Sequence, residues 1–369
     1  MPSSSRQTRR SSSTPTSSAG SEIQTPVHLP RPVICLEAPR GNPIHFSAFG
    51  TRILATHRRK GFGGESVPGG FLPIVDVRWR GVTFGPGDVF HDVPVYLPVD
   101  AGLFVLATSE VSVLPMGPLW PPRLENRCGG GGGAVEEWSW CRLPMPPFDN
   151  ADVTSYAVGP DGQTVVFSTE SWAGEGIVLG ADATFSFSTA ERVWRRRCEW
   201  TLPFAGRAHF VAGLEAFVGL SRDPASFGHL CSVREADIDD AGGPPSWELG
   251  KEKLLLDHGD EEEGPGETTT HVGATLVYMG SGSEFCLVQC VSIEQDDADR
   301  KLEEEEEEEL RRRHSYLYRL TRFSLSYDDD GEGGRGLTTG KTCQVQCYRV
   351  PEETTEDFLK GANPVAFWL

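Results

Sequence analysis

Two stretches of the chain hold residue types at spacings that could do chemistry. Gly336-Leu337-Thr338-Thr339-Gly340-Lys341-Thr342 has the Gly-Lys-Thr ending of a phosphate-binding loop, in which backbone N–H groups at a helix N-terminus cradle phosphate oxygens and the lysine reaches them. Its glycines stand one residue too close, and Cys343 to Val350 alternates like a strand where that helix should begin, so the stretch reads as a solvated hairpin loop. Cys286 with Cys290 and Cys343 with Cys347 share a C-x-x-x-C spacing that could supply four thiolates to one metal. On strands, residues four apart lie about 13 Å apart, too far for zinc bonds of about 2.3 Å. These cysteines read as buried or sheet-face thiols.

The nine histidines form no HExxH pair at ligand spacing, and no GxSxG elbow occurs, so metal-assisted and serine hydrolysis have no support. A copper oxidase would need several His and Tyr ligands converging on one site, and the sequence does not assemble them. The expectation is a protein that is not an enzyme, with no catalytic residue, no cofactor and no metal.

The elements that would position any site are strands. From about residue 31 the sequence breaks into short apolar runs with period-two alternation. Phe185-Ser186-Phe187-Ser188 and Phe323-Ser324-Leu325-Ser326-Tyr327 each put aromatic or Leu side chains on one face and Ser on the other, as half-buried strands do. A hairpin unit recurs, with a tight Gly-containing turn between two apolar strands, starting near residues 46, 95, 156, 209 and 271. A Trp followed by Leu-Pro comes after these hairpins at Trp138 to Pro144 and at Trp194 to Pro203, and more weakly at Trp247-Glu248-Leu249. The spacing of about 50 to 60 residues is near the kelch-type period and predicts an all-β, kelch-like β-propeller. About six four-stranded blades are expected; five to seven are compatible with the spacing. In such a fold the innermost strands line a central channel. His209 and His271 each open one, with Arg207 two residues before His209 on the same face, so Arg207, His209 and His271 are the candidate channel and ligand contacts.

The formal net charge of −19 argues against nucleic acid or an anionic membrane as partner. Residues 257–267, 294–309, 328–332 and 352–357 hold 25 of the 53 acidic residues, so 257–270 and 294–313 are expected to be disordered acidic loops within a propeller spanning 31–369. Residues 1–30 read as a Ser/Arg-rich disordered tail, with an organelle transit peptide as the alternative for 1–21. Nine cysteines without scaffold-like spacing favour a reducing compartment, and no apolar run is long enough to span a bilayer. A monomer in the cytoplasm or nucleus is expected, or in a plastid or mitochondrion if the tail is a transit peptide.

Several segments together carry a resemblance: Pro94-Val95-Tyr96, Gly159-Pro160-Asp161-Gly162, Thr184-Phe185-Ser186-Phe187, Trp200 to His209, Trp247 to Lys253 and the closing Asn363 to Trp368. In this order they resemble the plant family called domain of unknown function 1668, kelch-like propeller proteins. The resemblance implies a fold and no substrate, cofactor or catalytic residue. Gly129 to Gly133 and the Glu303 to Glu309 run depart from its pattern, and the first blade is incomplete if fuller members carry strands before Ala48. Loops on a rigid scaffold are where binding resides. The functional expectation is therefore a non-catalytic scaffold or adaptor for a protein partner; the alternative is a small-molecule or sugar-binding, or oxidative, propeller using its channel mouth.

Overall fold

The computed structural model describes residues 26–32, 34–35, 44–57, 72–87, 94–108, 110–116, 138–174, 177–180, 182–238, 245–256, 267–295, 314–329, 335–340, 343–351 and 363–369. These residues are strand and turn, with a single α-helical turn at Glu235–Ile238. They form antiparallel four-stranded units in chain order. The first comprises Ile44–Phe49, Arg52–His57, Leu72–Asp76 and Gly81–Gly85; the second, Val95–Val99, Gly102–Ala107, Glu110–Pro115 and Cys141–Arg142. Val153–Val158, Thr164–Thr169, Ala183–Ser188 and Val193–Cys198 make the third; His209–Val211, Ala216–Leu220, His229–Arg234 and Trp247–Lys253 make the fourth. The fifth is larger: Glu267–Tyr278, Glu284–Gln295, His314–Asp329 and Gln344–Arg349, with Arg335–Thr339 on the distal half of its third strand. The parallel bridge Gly250↔Leu337 joins the fourth and fifth units into one hydrogen-bonded path.

The expected hairpins near 46, 95, 156, 209 and 271 are all present, and their turn chemistry is visible. Gly102 has φ +139°, and a Cβ there would fall 2.0 Å from the Leu114 carbonyl oxygen, so the first hairpin of the second unit admits no side chain at this position. In the third unit Asp161 accepts from the N–H groups of Gln163 and Thr164, while Gly162 lies so near the preceding unit that its carbonyl receives Asp100 N–H at 2.9 Å.

Packing between units explains the alternation. On Gly102–Ala107 every residue is buried. Leu103 joins Leu54, Ile74 and Leu114 in a core against the first unit, while Phe104 and Leu106 join Phe167 and Phe187 in a core against the third. The neighbouring strands divide their side chains the same way. Phe167 points to the second unit and Val166 to the fourth, where it meets Phe204 and Phe217. Phe217 in turn faces the third unit, and Val218 faces the fifth with Phe285 and Phe323. Because successive strand residues point to opposite faces, each central strand feeds two cores. The first strands of the first four units stand side by side in sequence order, and His209 reaches Leu276 on the first strand of the fifth. The architecture is all-β and β-propeller-like.

The structure changes several expectations. Ser186 and Thr184 lie on a covered face, because the connection Trp200 to Phe204 crosses it. Thr184 Oγ1 donates to the Trp200 carbonyl at 2.7 Å, and Leu202 N–H donates to Ser168 Oγ at 3.0 Å. Gly336 to Thr339 of the Gly-Lys-Thr stretch belong to a strand paired with Leu325–Asp329, so that part of the expected solvated loop is ladder. Register puts Cys286 and Cys290 opposite Arg322 and Tyr318, and Cys347 opposite Arg319. Cys347 therefore faces away from that pair, which separates the two cysteine pairs further than spacing alone implied. Pairing also reaches into segments read as tail and loops: Val27–His28 runs parallel to Tyr348–Arg349, and the long hairpin of the fifth unit includes residues 267–270 and 294–295. Residues 1–25, 257–266 and 296–313, with the Gly129–Gly133 run, lie outside the described residues.

Phe104 is fully buried with ring centroids 6.1 Å and 5.8 Å from Phe167 and Phe187. Phe104→Ala should lower the free energy of unfolding by about 3–5 kcal/mol, while Val82→Ala, on the exposed edge strand of the first unit, should stay within about 0.5 kcal/mol. Urea unfolding of both variants checks this.

Candidate functional site

The segment Gly206 to Val211 passes from the inner edge of the third unit to that of the fourth. Gly206–Arg207 pairs in parallel with Ser155–Tyr156, and Ala208 N–H donates to the Tyr156 carbonyl at 2.9 Å. His209 then opens the fourth unit opposite Val218. Backbone pairing on both sides thus sets Arg207 beside Tyr156 and carries His209 to the fifth unit. There His209 Nε2 lies 3.0 Å from the Leu276 carbonyl oxygen, with its ring against Tyr278 and Phe285. A carbonyl only accepts, so Nε2 carries the hydrogen and Nδ1 keeps a lone pair when the ring is neutral.

Electrostatics follow from enclosure. Burial, reinforced by the Arg207 charge, pushes the His209 ring down to about 3, so it is neutral across physiological pH and is no acid–base catalyst there. Burial raises the Tyr156 phenol above its usual range against the opposing pull of Arg207, so it remains a donor. Burial also lowers the Arg207 pKa, opposed by Tyr156, but a guanidinium in a protein stays charged.

His271 lies elsewhere. It is on the same strand as Leu276, five residues away or roughly 16 Å along a strand, at a register shift opposite Val291. Gln289 Nε2 donates to His271 Nδ1 at 3.0 Å, and the same amide group holds the backbone of Leu256 through both its N–H and its carbonyl. Arg319 Nη1 donates to the Leu254 carbonyl at 2.8 Å. His271 thus belongs to a polar network that fastens the end of the fourth unit onto the fifth. Of the three candidate residues, the structure brings Arg207 and His209 together and keeps His271 apart. Tyr156, the third member of the group, was unmarked in the sequence because its proximity depends on the parallel pairing of segments 51 residues apart.

A second feature sits at the outer strands. Trp140 Nε1 donates to the Pro86 carbonyl at 3.0 Å and Trp194 Nε1 to the Pro144 carbonyl at 2.8 Å, so each indole ties its unit to the chain leaving the preceding one. At the next step the series breaks. The Pro203 carbonyl is taken by Arg222 N–H at 2.9 Å, and Trp247 is 42% exposed. Trp247 borders a groove of about 540 Å³ with Glu170, Thr201, Pro203, Arg222 and Asp223. Across it Arg222 bonds the Glu170 carboxylate at 2.8 Å and Thr201 Oγ1 at 3.2 Å. The sequence does not mark this break, because Leu202-Pro203 precedes Trp247 as Leu143-Pro144 precedes Trp194.

Among the described residues no group of three or more His, Cys, Asp or Glu could hold a metal ion. Burial raises the thiols of Cys198, Cys286 and Cys343, and takes Cys290 up to about 11, the opposite of what a thiolate nucleophile needs. Cys141 is disulfide-bonded. No helix among the described residues is long and apolar enough to cross a membrane.

The sequence model of the family described as "Protein of unknown function (DUF1668)" matches residues 4–348. No curated protein matches the chain. Among solved structures, it is similar to a structural genomics protein of unknown function from Bacteroides thetaiotaomicron, with 13% identity, 69% of this chain and 58% of that one covered, and a TM-score of 0.37. It is similar also to TolB from Acinetobacter baumannii (11%, 76% and 63%, 0.32) and to Hsv2p from Kluyveromyces lactis (12%, 82% and 99%, 0.29). The chain spans less than two thirds of the length of the first two, and at these scores none of the three bears on function.

The depressed His209 pKa has a measurable consequence. Between about pH 3 and 6.5 the unfolded chain holds the proton that the folded ring refuses, so stability falls as pH drops through that window. This ring contributes up to about 1.4 kcal/mol per pH unit to that slope. His209→Gln should flatten the slope by up to that amount, read by urea unfolding at a series of pH values.

Proposed function

We propose that this chain, which belongs to the DUF1668 family of proteins of unknown function, is a non-catalytic interaction scaffold. Its units serve as the blades of a kelch-like propeller, and a protein partner docks in the groove at Trp247. The observation that carries this reading is the interrupted indole series: Trp140 and Trp194 are spent on holding neighbouring units together, and Trp247 is not. An exposed Trp beside an Arg–Glu pair is the composition of an interface anchor, because Trp and Arg dominate binding hot spots. Glu170, Asp223 and Arg222 offer both signs of charge around it, which suits a peptide surface with mixed charge. The neutral His209 and the raised thiols support a binding role over a catalytic one. We take the units described above as five blades, the lower bound of the range expected from spacing, and the working form as a monomer in the cytoplasm or nucleus.

Affinity purification with the wild-type chain and with Trp247→Ala combined with Arg222→Ala tests the groove. Partners held by the wild type should be recovered at least about tenfold less with the double variant. Its melting temperature should change little, because Arg222 and Glu170 are substantially exposed and such pairs contribute about 0–1 kcal/mol. An unchanged partner set would overturn the proposal. The same experiment with residues 294–313 deleted shows whether partners are held by the acidic segment instead.

A further inference from the structure

An enclosed guanidinium is costly unless something compensates its charge, since removing an ion from water without a partner costs several kcal/mol. Two other enclosed arginines are compensated. Arg52 Nε lies 3.5 Å from the Asp76 carboxylate, and Arg319 Nη1 donates to the Leu254 carbonyl. Arg207 differs. Among the described residues it forms no ion pair and no side-chain hydrogen bond, and the groups its charge reaches are the Tyr156 phenol and the His209 ring, neither of them an anion at neutral pH. It is densely surrounded by protein yet keeps part of its surface accessible, as does His209.

The position is rigid. Arg207 is held by the parallel pairing with Tyr156 and by the Ala208 to Tyr156 backbone bond, and the Tyr156 ring is anchored 6.4 Å from Phe167 in the core between the second and third units. A fixed, uncompensated cation beside a protonated phenol presents several donors and no competing acceptor charge. His209 cannot supply a second cation, and its Nε2–H is already committed to Leu276, so Arg207 is the one full positive charge among these three side chains.

We propose that Arg207 and Tyr156 form an oxyanion-binding site at the inner edges of the third and fourth units, taking the carboxylate or phosphate group of a small molecule. The guanidinium fork pairs with two oxygens of the anion and the Tyr156 hydroxyl donates to one of them. The site is independent of the Trp247 groove: it is on the inner edge of the units, whereas the groove is bordered by an outer strand.

Inorganic phosphate and succinate, each against sodium chloride at matched ionic strength, serve as probes for the full chain. One of them should raise the melting temperature of the wild type in a saturable, concentration-dependent way, and calorimetric titration should give the corresponding Kd. Response to phosphate alone identifies a phosphorylated ligand class, and response to succinate alone identifies a carboxylate. Arg207→Gln should abolish the shift or weaken Kd at least about tenfold, while melting no lower than the wild type without ligand, because an uncompensated charge has been removed. Tyr156→Phe, which keeps the ring in its core, should weaken Kd several-fold and provides the comparison should Arg207→Gln fail to fold. No saturable shift with either anion in the wild type would overturn the proposal, as would an equal Kd in wild type and Tyr156→Phe together with an undiminished response in any folded Arg207→Gln.

Discussion

The structure depends on one packing constraint: the side chains of each central strand alternate between two separate cores. Leu103 and Phe104 are adjacent in sequence, yet one packs against the first unit and the other against the third. Val165, Val166 and Phe167 repeat the division one unit further on, and Phe217 and Val218 repeat it again. A slip of one residue in any of these strands would exchange the two sets and give each core side chains sized for the other, so register is specified from two sides at once. This also accounts for the small hydroxyl residues. Where the chain leaving one unit must cross the face of a strand, Ser168 and Thr184 leave room for it and supply its hydrogen bonds.

Packing consumes the surfaces that neighbouring units turn to one another, and the edges of the units remain open to binding. At the inner edge, the Gly206 to Val211 crossing is bonded first to one unit and then to the next, so Arg207 and His209 are placed by backbone and not by their own interactions. Enclosure then does opposite things to the two side chains: it keeps the imidazole neutral and leaves the guanidinium charged, with no counter-ion among the described residues. At the outer edge, indole-to-proline bonds tie each unit to its predecessor until Arg222 takes the Pro203 carbonyl. A repeated structural contact that is abandoned at one copy releases a large amphipathic side chain, and this is how a regular scaffold acquires a distinctive place on its surface.

The charge distribution agrees with this division of labour. The net charge of −19 is carried to a large extent by short acidic runs between strands, while the paired strands bear compensated charges such as Arg322 with Glu284 and Lys251 with Asp328. These exposed pairs add little stability. Their effect is to balance charge locally on the strand surface, whereas the inner-edge arginine has no ion-pair partner among the described residues.

What the amino-acid sequence determined by itself was local: where hairpins turn, which residues share a strand face, and that Trp and Leu-Pro recur after them. Gly102 and Asp161 announce their turns because positive φ and Asx geometry are properties of a few neighbouring residues. The tertiary structure decided everything that depends on what covers a face or meets an edge. Alternation in Thr184 to Ser188 showed two faces but not that both are buried, and the Gly-Lys-Thr stretch became a strand because Leu325–Asp329 offered it a ladder. Arg207, His209 and His271 looked alike as inner-strand residues. Only long-range pairing put the first two beside Tyr156 and Leu276 and gave the third to Gln289, because the neighbours of an edge residue come from segments whose distance in sequence carries no record of their distance in space.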